Sequence, residues 1–320
     1  MKTRTMKTII NLFVSLVMIA TASCQEARSV KVTVTEEDGT SVEGAKVDIR
    51  YLGQGTRKEE TKSGLTDAHG VFVSQGTADL RILIFLEKEG YYTSRSGRLS
   101  RKQDHDVTFV LRKIKNPIPL YARKFRGKLP GIGNNYGFDF KIGDWVAPHG
   151  KGKRADLFFR AIITEDKTSK LAGQIEITFP HEEEGAAVVT KKNGYLPLSV
   201  LAIPNNAFKE GYIEKVSRVE AGYENKGKEP NESYFFRTRV KKSKTGEFIF
   251  NYSKLKESFN FRMGGGRFLE EPYRSKYPQE YGAVEFTYYF NPAPNDRNLE
   301  FDLDRNLFED LDSTERVNEP

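Results

Sequence analysis

The chain has 320 residues, of which 38% are hydrophobic and 30% charged, a balance that fits a soluble folded protein of about two globular domains. The formal net charge is +7, but three of the cations (Lys2, Arg4 and Lys7) lie in the first seven residues, and the +4 that remains is spread along the chain. That spread argues against nucleic-acid binding and supports no more than an anionic partner, and a single cysteine excludes an intrachain disulfide.

Met1 to Lys7 reads as a basic leader, followed by an apolar run, Ile9 to Ala20, interrupted only by Asn11 and Ser15. The run is too short to span a bilayer and is flanked as in a signal peptide. Ala20-Thr21-Ala22 suits signal cleavage, and Thr21-Ala22-Ser23-Cys24 resembles a bacterial lipobox without the usual leucine. Residues 1–23 are therefore expected to be a signal peptide, with Cys24 as the lipidated N-terminus. The competing reading is an ordinary secreted protein with an incidental cysteine. The expected address is the periplasm or the outer membrane, reached across the inner membrane. No other apolar run is long enough to span a membrane.

Residues 30–112 read as one small all-β module. Val30, Val32 and Val34 alternate with polar neighbours, the period of a half-buried strand. Asp38-Gly39 marks a turn, and Val42, Ala45, Val47 and Ile49 follow. Thr66-Asp67-Ala68-His69-Gly70 is a second turn, from which Val71-Phe72-Val73 leaves as a strand, with Phe72 a core candidate. Leu80 to Leu86 is an apolar run of strand length, expected to be central and buried; Val107, Phe109 and Leu111 alternate at the end. Turn signals at this spacing predict a sandwich of about seven strands.

Three of these pieces, Asp38 to Val47, Thr66 to Phe72 and Lys88-Glu89-Gly90-Tyr91, resemble in order the carboxypeptidase-regulatory-like (transthyretin-like) domain. Ser41 departs from the family, which commonly has proline there. The resemblance implies a non-catalytic β-sandwich that accompanies other domains in secreted and envelope proteins, and it implies no ligand.

Residues 113–120, with Pro117 and Pro119, read as an extended linker. Residues 121–312 are β-rich. Tyr136, Phe138 and Phe140 alternate; Asp156 to Ile163 is a strand candidate; and Ile175, Ile177 and Phe179 face one way while Gln174, Glu176 and Thr178 face the other. Tyr195 to Ala202 holds Pro197 and suits an edge strand or loop, and Phe208 to Val219 has room for one short helix. Asn231 to Val240, Glu247 to Tyr252, Phe259 to Arg262 and Ala283 to Phe290 complete the run. This alternation predicts a larger, mainly antiparallel β-sandwich-like domain. Asn-Pro-Ile-Pro-Leu-Tyr-Ala and Gly-Asp-Trp-Val-Ala-Pro-His-Gly-Lys-Gly resemble segments of envelope proteins in which such a sandwich comes first, a likeness that implies no activity. Asp296-Arg297-Asn298-Leu299 recurs as Asp304-Arg305-Asn306-Leu307, a spacing that suits strand-and-turn chemistry better than a repeat architecture. Residues 313–320 form a polar tail.

The candidate sites are few. His181 and Glu184 have the His-x-x-Glu spacing of a zinc pair, but no histidine follows to complete three ligands, so the acidic run reads as a solvated turn. Asp302, Asp304 and Asn306 open like a calcium loop but lack the glycine of its sharp turn. Gly264-Gly265-Gly266 lacks the Lys-Ser/Thr of a phosphate loop. Glu176 and Glu285 lie inside good strands and are the acid/base candidates if the domain is a glycoside hydrolase, which needs two carboxylates across one cleft. Trp145, with Tyr136 and Asp144 near it and Asp139 and His149 beyond, is the candidate for stacking on a sugar; a packed core tryptophan is the competing reading. No cofactor or metal is expected. The function expected is a non-catalytic, lipid-anchored or secreted envelope protein that binds glycan or another surface component. A hydrolase and a purely structural assembly subunit stand as alternatives.

Overall fold

The computed structural model describes residues 27–53, 59–131, 133–165, 171–190, 207–210, 214–219, 224–226, 232–263 and 282–320. Every regular element among them is a strand. The expected signal peptide, Cys24, the candidate strand at 195–202 and the triple glycine lie outside the described residues. The chain divides into two units: one holds the residues up to Thr35 with Ser41–Lys88 and Thr93–Phe109, the other Glu36–Thr40, Glu89–Tyr92 and Val110–Pro320.

The first unit has seven strands, β1 (Arg28–Thr35), β2 (Lys46–Leu52), β3 (Glu60–Leu65), β4 (Val71–Gly76), β5 (Arg81–Glu87), β6 (Ser94–Arg95) and β7 (His105–Val110). They form two sheets, β4-β1-β7 and β3-β2-β5-β6. Val30, Val32 and Val34 are fully buried, as are Val47, Ile49 and Tyr51 of β2 and Ile82, Ile84 and Leu86 of β5. Each such side chain contributes about 1.5–3 kcal/mol relative to exposure.

The turn into β4 is built from side chains. Thr66 Oγ1 donates to Val42 O at 2.6 Å and accepts Ala45 N–H at 2.9 Å. Asp67 Oδ1 accepts the N–H groups of His69 (2.9 Å) and Val71 (2.8 Å), which holds its carboxyl below the ordinary value. Gly70 has φ +73°, and a Cβ there would stand 2.3 Å from Val34 O, so no other residue fits.

Two expectations change in this unit. The run from Leu80 to Leu86 is not buried on both sides: Leu80 is 50% exposed and β5 alternates, with the Arg50 guanidinium 4.5 Å from the outer ring of Phe85. Phe72 is half-buried, its ring lying over Gly64 of β3. That strand, Glu-Thr-Lys-Ser-Gly-Leu, has no apolar alternation and is held by its ladder to β2.

The second unit begins with β8 (Ile118–Lys128), so the strand already includes Ile118, Pro119 and Leu120 of the stretch read as a linker. β9 (Tyr136–Asp139), β10 (Asp144–Trp145), β11 (Leu157–Glu165), β12 (Leu171–Thr178), β15 (Glu214–Val219) and β16 (Glu224–Lys226) form a six-stranded sheet in the order β10-β9-β11-β12-β15-β16. A larger sheet takes β13 (Gly185–Thr190), β14 (Lys209–Glu210), β17 (Glu232–Lys242), β18 (Phe248–Leu255), β20 (Gly282–Asn291) and β21 (Phe301–Asn306) in the order β14-β13-β17-β18-β20-β8-β21, with β19 (Asn260–Met263) also on β20. Within this unit the strand pairings are antiparallel except β21 with β8. Among the described residues of 208–219, where the sequence has room for a short helix, 209–210 and 214–219 are strands instead, β14 and β15, and β15 is held by its ladder to β12.

The main core lies between these two sheets. Val284, Phe286, Tyr288 and Phe290 of β20 and Ile175 and Ile177 of β12 all enter it, with Phe179 packed at its margin. Its rings meet mostly edge to face: Phe138 touches Phe125 (4.6 Å), Trp145 (5.5 Å) and Phe286 (5.2 Å). The Tyr288 hydroxyl is buried and donates to Phe140 O at 2.9 Å, which satisfies it. The opposite face of the larger sheet carries a second cluster, in which Leu120, Phe235 and Tyr289 pack with Leu299, Phe301 and Val317 of the C-terminal segment.

The repeated Asp-Arg-Asn-Leu stitches that segment down. Asn298 Nδ2 donates to Asn116 O (2.7 Å); Asn306 Nδ2 donates to Ala122 O (2.7 Å) while its Oδ1 accepts Ala122 N–H (3.2 Å). Glu300 is buried and accepts Tyr92 O–H and the N–H groups of Lys115 and Asn116.

Candidate functional site

At one edge of the core lies a buried ionic network. Asp139 ends β9, Asp156 precedes β11, and Arg239 sits in β17, where Thr238 pairs with Asn251 but Lys241 pairs with Ile249. Three steps on one strand against two on the other make a β-bulge, and Arg239 takes φ +58° there. Arg237 stacks on Phe250 and Phe208, on the outer face of the larger sheet. An unbroken period of two would send Arg239 the same way; the bulge turns it inward instead.

Arg239 meets Asp156 with two bonds, Nε to Oδ1 and Nη2 to Oδ2, each 2.7 Å, and Nη2 also donates to Asp139 Oδ1 at 2.6 Å. Its guanidinium lies 4.7 Å from the Phe290 ring centre. Asp156, fully buried, also accepts Thr238 O–H (3.0 Å) and Phe140 N–H (2.8 Å). Burial pushes the Asp156 carboxyl up and the two bonds from Arg239 pull it back. Burial raises Asp139 as well, but the N–H groups of Lys153 and Arg154 and the charge of Arg239 outweigh it, leaving that carboxyl below its ordinary value.

This network holds the loop that joins β9 to β11. Asp139 Oδ1 accepts the N–H of Lys141 (3.0 Å), and its Oδ2 accepts those of Lys153 (2.9 Å) and Arg154 (3.1 Å). Asp144 accepts Trp145 N–H and Lys151 N–H, both at 2.8 Å. The Gly-Asp-Trp-Val-Ala-Pro-His-Gly-Lys-Gly motif is thus a backbone clamp. A Cβ on Gly150 would fall 2.5 Å from Trp145 O, and one on Gly152 2.8 Å from the same atom. The Trp145 ring turns inward, 5% exposed, against Phe125, Phe138 and Phe159, so it presents no face to a ligand. Tyr136 remains partly exposed, with His149 edge-on to it at 4.9 Å.

Beside the loop is an open cleft of about 340 Å³, lined by Arg123, Ile142, Phe308, Glu309, Asp310 and the leucines around them. Arg123 donates to Gly143 O (2.9 Å) and to Glu315, and its guanidinium lies 5.9 Å from the Phe308 ring centre. Phe308 packs edge-on against Tyr121 at 5.0 Å, while Glu309 and Asp310 are exposed. An aromatic ring, a cation and two carboxylates around one opening can hold a polar, ring-shaped ligand.

The two acid/base candidates are not brought together. Glu176 lies between Ile175 and Ile177, Glu285 between Val284 and Phe286, and all four apolar neighbours enter the core between the sheets. The two carboxylates therefore leave opposite outer faces of the sandwich. Each sits directly across a ladder from an arginine, Glu176 from Arg160 (3.9 Å) and Glu285 from Arg126 (4.0 Å).

The acidic turn at 181–184 is only partly solvated. His181 pairs with Glu183 at 2.6 Å, but Glu184 is 1% exposed and accepts Val240 N–H at 2.9 Å, and burial pushes its carboxyl up. Asp302 spends its carboxylate on Arg305 (2.6 Å) and Asp304 N–H (3.0 Å), the Asx turn of an exposed strand end. Among the described residues no group of three or more metal-ligating side chains is placed to hold an ion. Asp156, Arg239, Arg123 and Phe308 carry no local sequence signal. They meet across 83 positions in one case and 185 in the other, which only the fold brings together.

No family model matches the chain, and no curated protein matches it. Among the solved structures that overlap with it are these three. A candidate carbohydrate-binding protein from Bacteroides uniformis ATCC 8492 has 11% identity over 70% of this chain and 89% of its own, with a TM-score of 0.22. A streptococcal ancillary pilin has 13% identity over 61% and 60%, with a TM-score of 0.21. A candidate membrane-associated protein of unknown function from Bacteroides fragilis NCTC 9343 has 11% identity over 84% and 98%, with a TM-score of 0.20. Likenesses at these TM-scores carry no argument about architecture or role.

Proposed function

We propose that this is a non-catalytic cell-envelope protein, exported and held on a membrane through lipid on Cys24, that binds glycan in the cleft between β8 and the C-terminal segment. The observation that carries the glycan reading is the cleft itself, where the Phe308 ring, the Arg123 guanidinium and the exposed Glu309 and Asp310 surround one opening. A sugar offers an apolar face to a ring and hydroxyls to charged groups, the combination available there. The address rests on the leader and on the position of Cys24 at its end. The two-sheet, seven-strand arrangement of the first unit is compatible with a carboxypeptidase-regulatory-like module, which serves here as a non-catalytic companion domain.

A glycan array with wild type, Phe308→Ala and Glu309→Ala/Asp310→Ala tests the cleft. Binding to at least one glycan, lost in both variants, is expected. An empty array with wild type refutes the reading and leaves a structural subunit. Fatty-acid labelling of wild type and Cys24→Ser tests the anchor, with label expected in wild type alone; absence from both leaves a secreted protein.

A further inference from the structure

We propose that the loop from Lys141 to Arg154 is a preformed docking surface for acidic polysaccharide, chains bearing repeated carboxylate or sulfate groups. The inference goes beyond the cleft and does not depend on it. Four cations, Lys141, Lys151, Lys153 and Arg154, stand exposed on this loop. The backbone N–H of every one of them is held by an aspartate: Lys141, Lys153 and Arg154 by Asp139, and Lys151 by Asp144. The two carboxylates that anchor the loop thus fix the roots of all four cationic side chains, and Arg239 in turn locks Asp139. A loop held this way loses little conformational entropy on binding.

The charges on it are largely available. Among the described residues Lys141, Lys151 and Lys153 form no ion pair, and Arg154 lies only 4.0 Å from Glu184. The nearby negative groups are Asp144, turned onto the loop's own N–H groups; Asp139 and Asp156, bound by Arg239; the Glu182–Glu183 turn on the Arg154 side, where Glu183 is paired with His181; and the exposed Glu309 and Asp310, which line the cleft with Ile142 at the Lys141 end. Tyr136 and His149 add two rings beside the cations. The described residues of this loop carry no exposed large apolar side chain that would enter a bilayer, which favours a hydrated polyanion over a lipid surface.

Affinity electrophoresis and calorimetry with polygalacturonate and dextran sulfate test this, with unsulfated dextran and phosphatidylglycerol vesicles as the other arms. Wild type should bind both polyanions, weakening as salt shortens the range of the charges, and should ignore dextran. Replacing Lys141, Lys151, Lys153 and Arg154 with Gln together should reduce affinity at least about tenfold. The triple Lys→Gln variant, which leaves the Arg154–Glu184 contact intact, should lose most of that. Phe308→Ala should bind polyanion as wild type does. No polyanion binding by wild type, unchanged binding by the Gln variants with native circular dichroism, equal binding to dextran, or binding to vesicles alone overturns the proposal. Polyanion binding that survives alongside an empty neutral-glycan array would remove the cleft reading only.

Discussion

Arg239→Met removes the one cation that Asp156 and Asp139 share while keeping an apolar stem over Phe290. The loss comprises three charge-assisted bonds of 2.6–2.7 Å, and it leaves carboxylates that are 0% and 2% exposed without their counter-charge. Removing one member of a buried pair costs about 3–5 kcal/mol, because the remaining charge stays desolvated. Relief of the φ +58° backbone does not offset this, since methionine is as disfavoured there as arginine. With an m-value of about 2 kcal/mol/M, the urea midpoint should fall by about 1.5–2.5 M. Trp145 is the only tryptophan and is packed in the core beside the network, so its fluorescence reports this unit without a label. Asp156→Asn combined with Arg239→Met should cost clearly less than the two changes added, because the more deeply buried of the two uncompensated charges is gone. Arg239→Lys should recover only part of the loss, since an ammonium cannot make the bidentate contact. A midpoint shift below about 0.5 M for Arg239→Met would refute the argument that this network holds the unit together.

Asp139 predicts a pH dependence. Its folded pKa lies below its unfolded value, so as the pH falls the unfolded chain takes up the proton first. The stabilisation is complete above the ordinary aspartate range of about 4 and is lost as the pH drops through the lowered value. Urea midpoints at pH 7 and pH 3 should converge more in Asp139→Asn than in wild type, and equal pH slopes would contradict the assignment. In the first unit, Gly70→Ala meets Val34 O at 2.3 Å at a positive φ and should cost about 2 kcal/mol or more, read as faster hydrogen exchange at the Val34 and Val71 amides. Phe72→Ala should cost about 1–2 kcal/mol by thermal melting, below the 3–5 of a fully buried phenylalanine, because the ring is only half-buried over Gly64.

Alternation was a reliable guide wherever a strand buries one face. Val30-Val32-Val34 and Val284-Phe286-Tyr288-Phe290 could be assigned to a core from their spacing alone, because the side-chain period of a strand is set by the backbone. It failed where another force holds the strand. β3 has no apolar face and exists by its hydrogen bonds to β2, and the described part of 208–219 is extended because a neighbouring strand pairs with it. Trp145 shows a further limit. Its type and neighbours suit either a sugar platform or a core, and only its inward turn between Phe138 and Phe159 decides for the core.

By itself, then, the sequence determined an all-β chain and its turn chemistry, both local properties of neighbouring residues. The tertiary structure alone decided which charges meet. It set Glu176 and Glu285 on opposite faces, turned Arg239 inward at a bulge, and gathered Asp139 and Arg239 from two strands and Asp156 from the loop before a third into one buried network. Such a network is stable only where desolvation and hydrogen bonding balance in three dimensions, and that balance leaves no periodic trace along the chain.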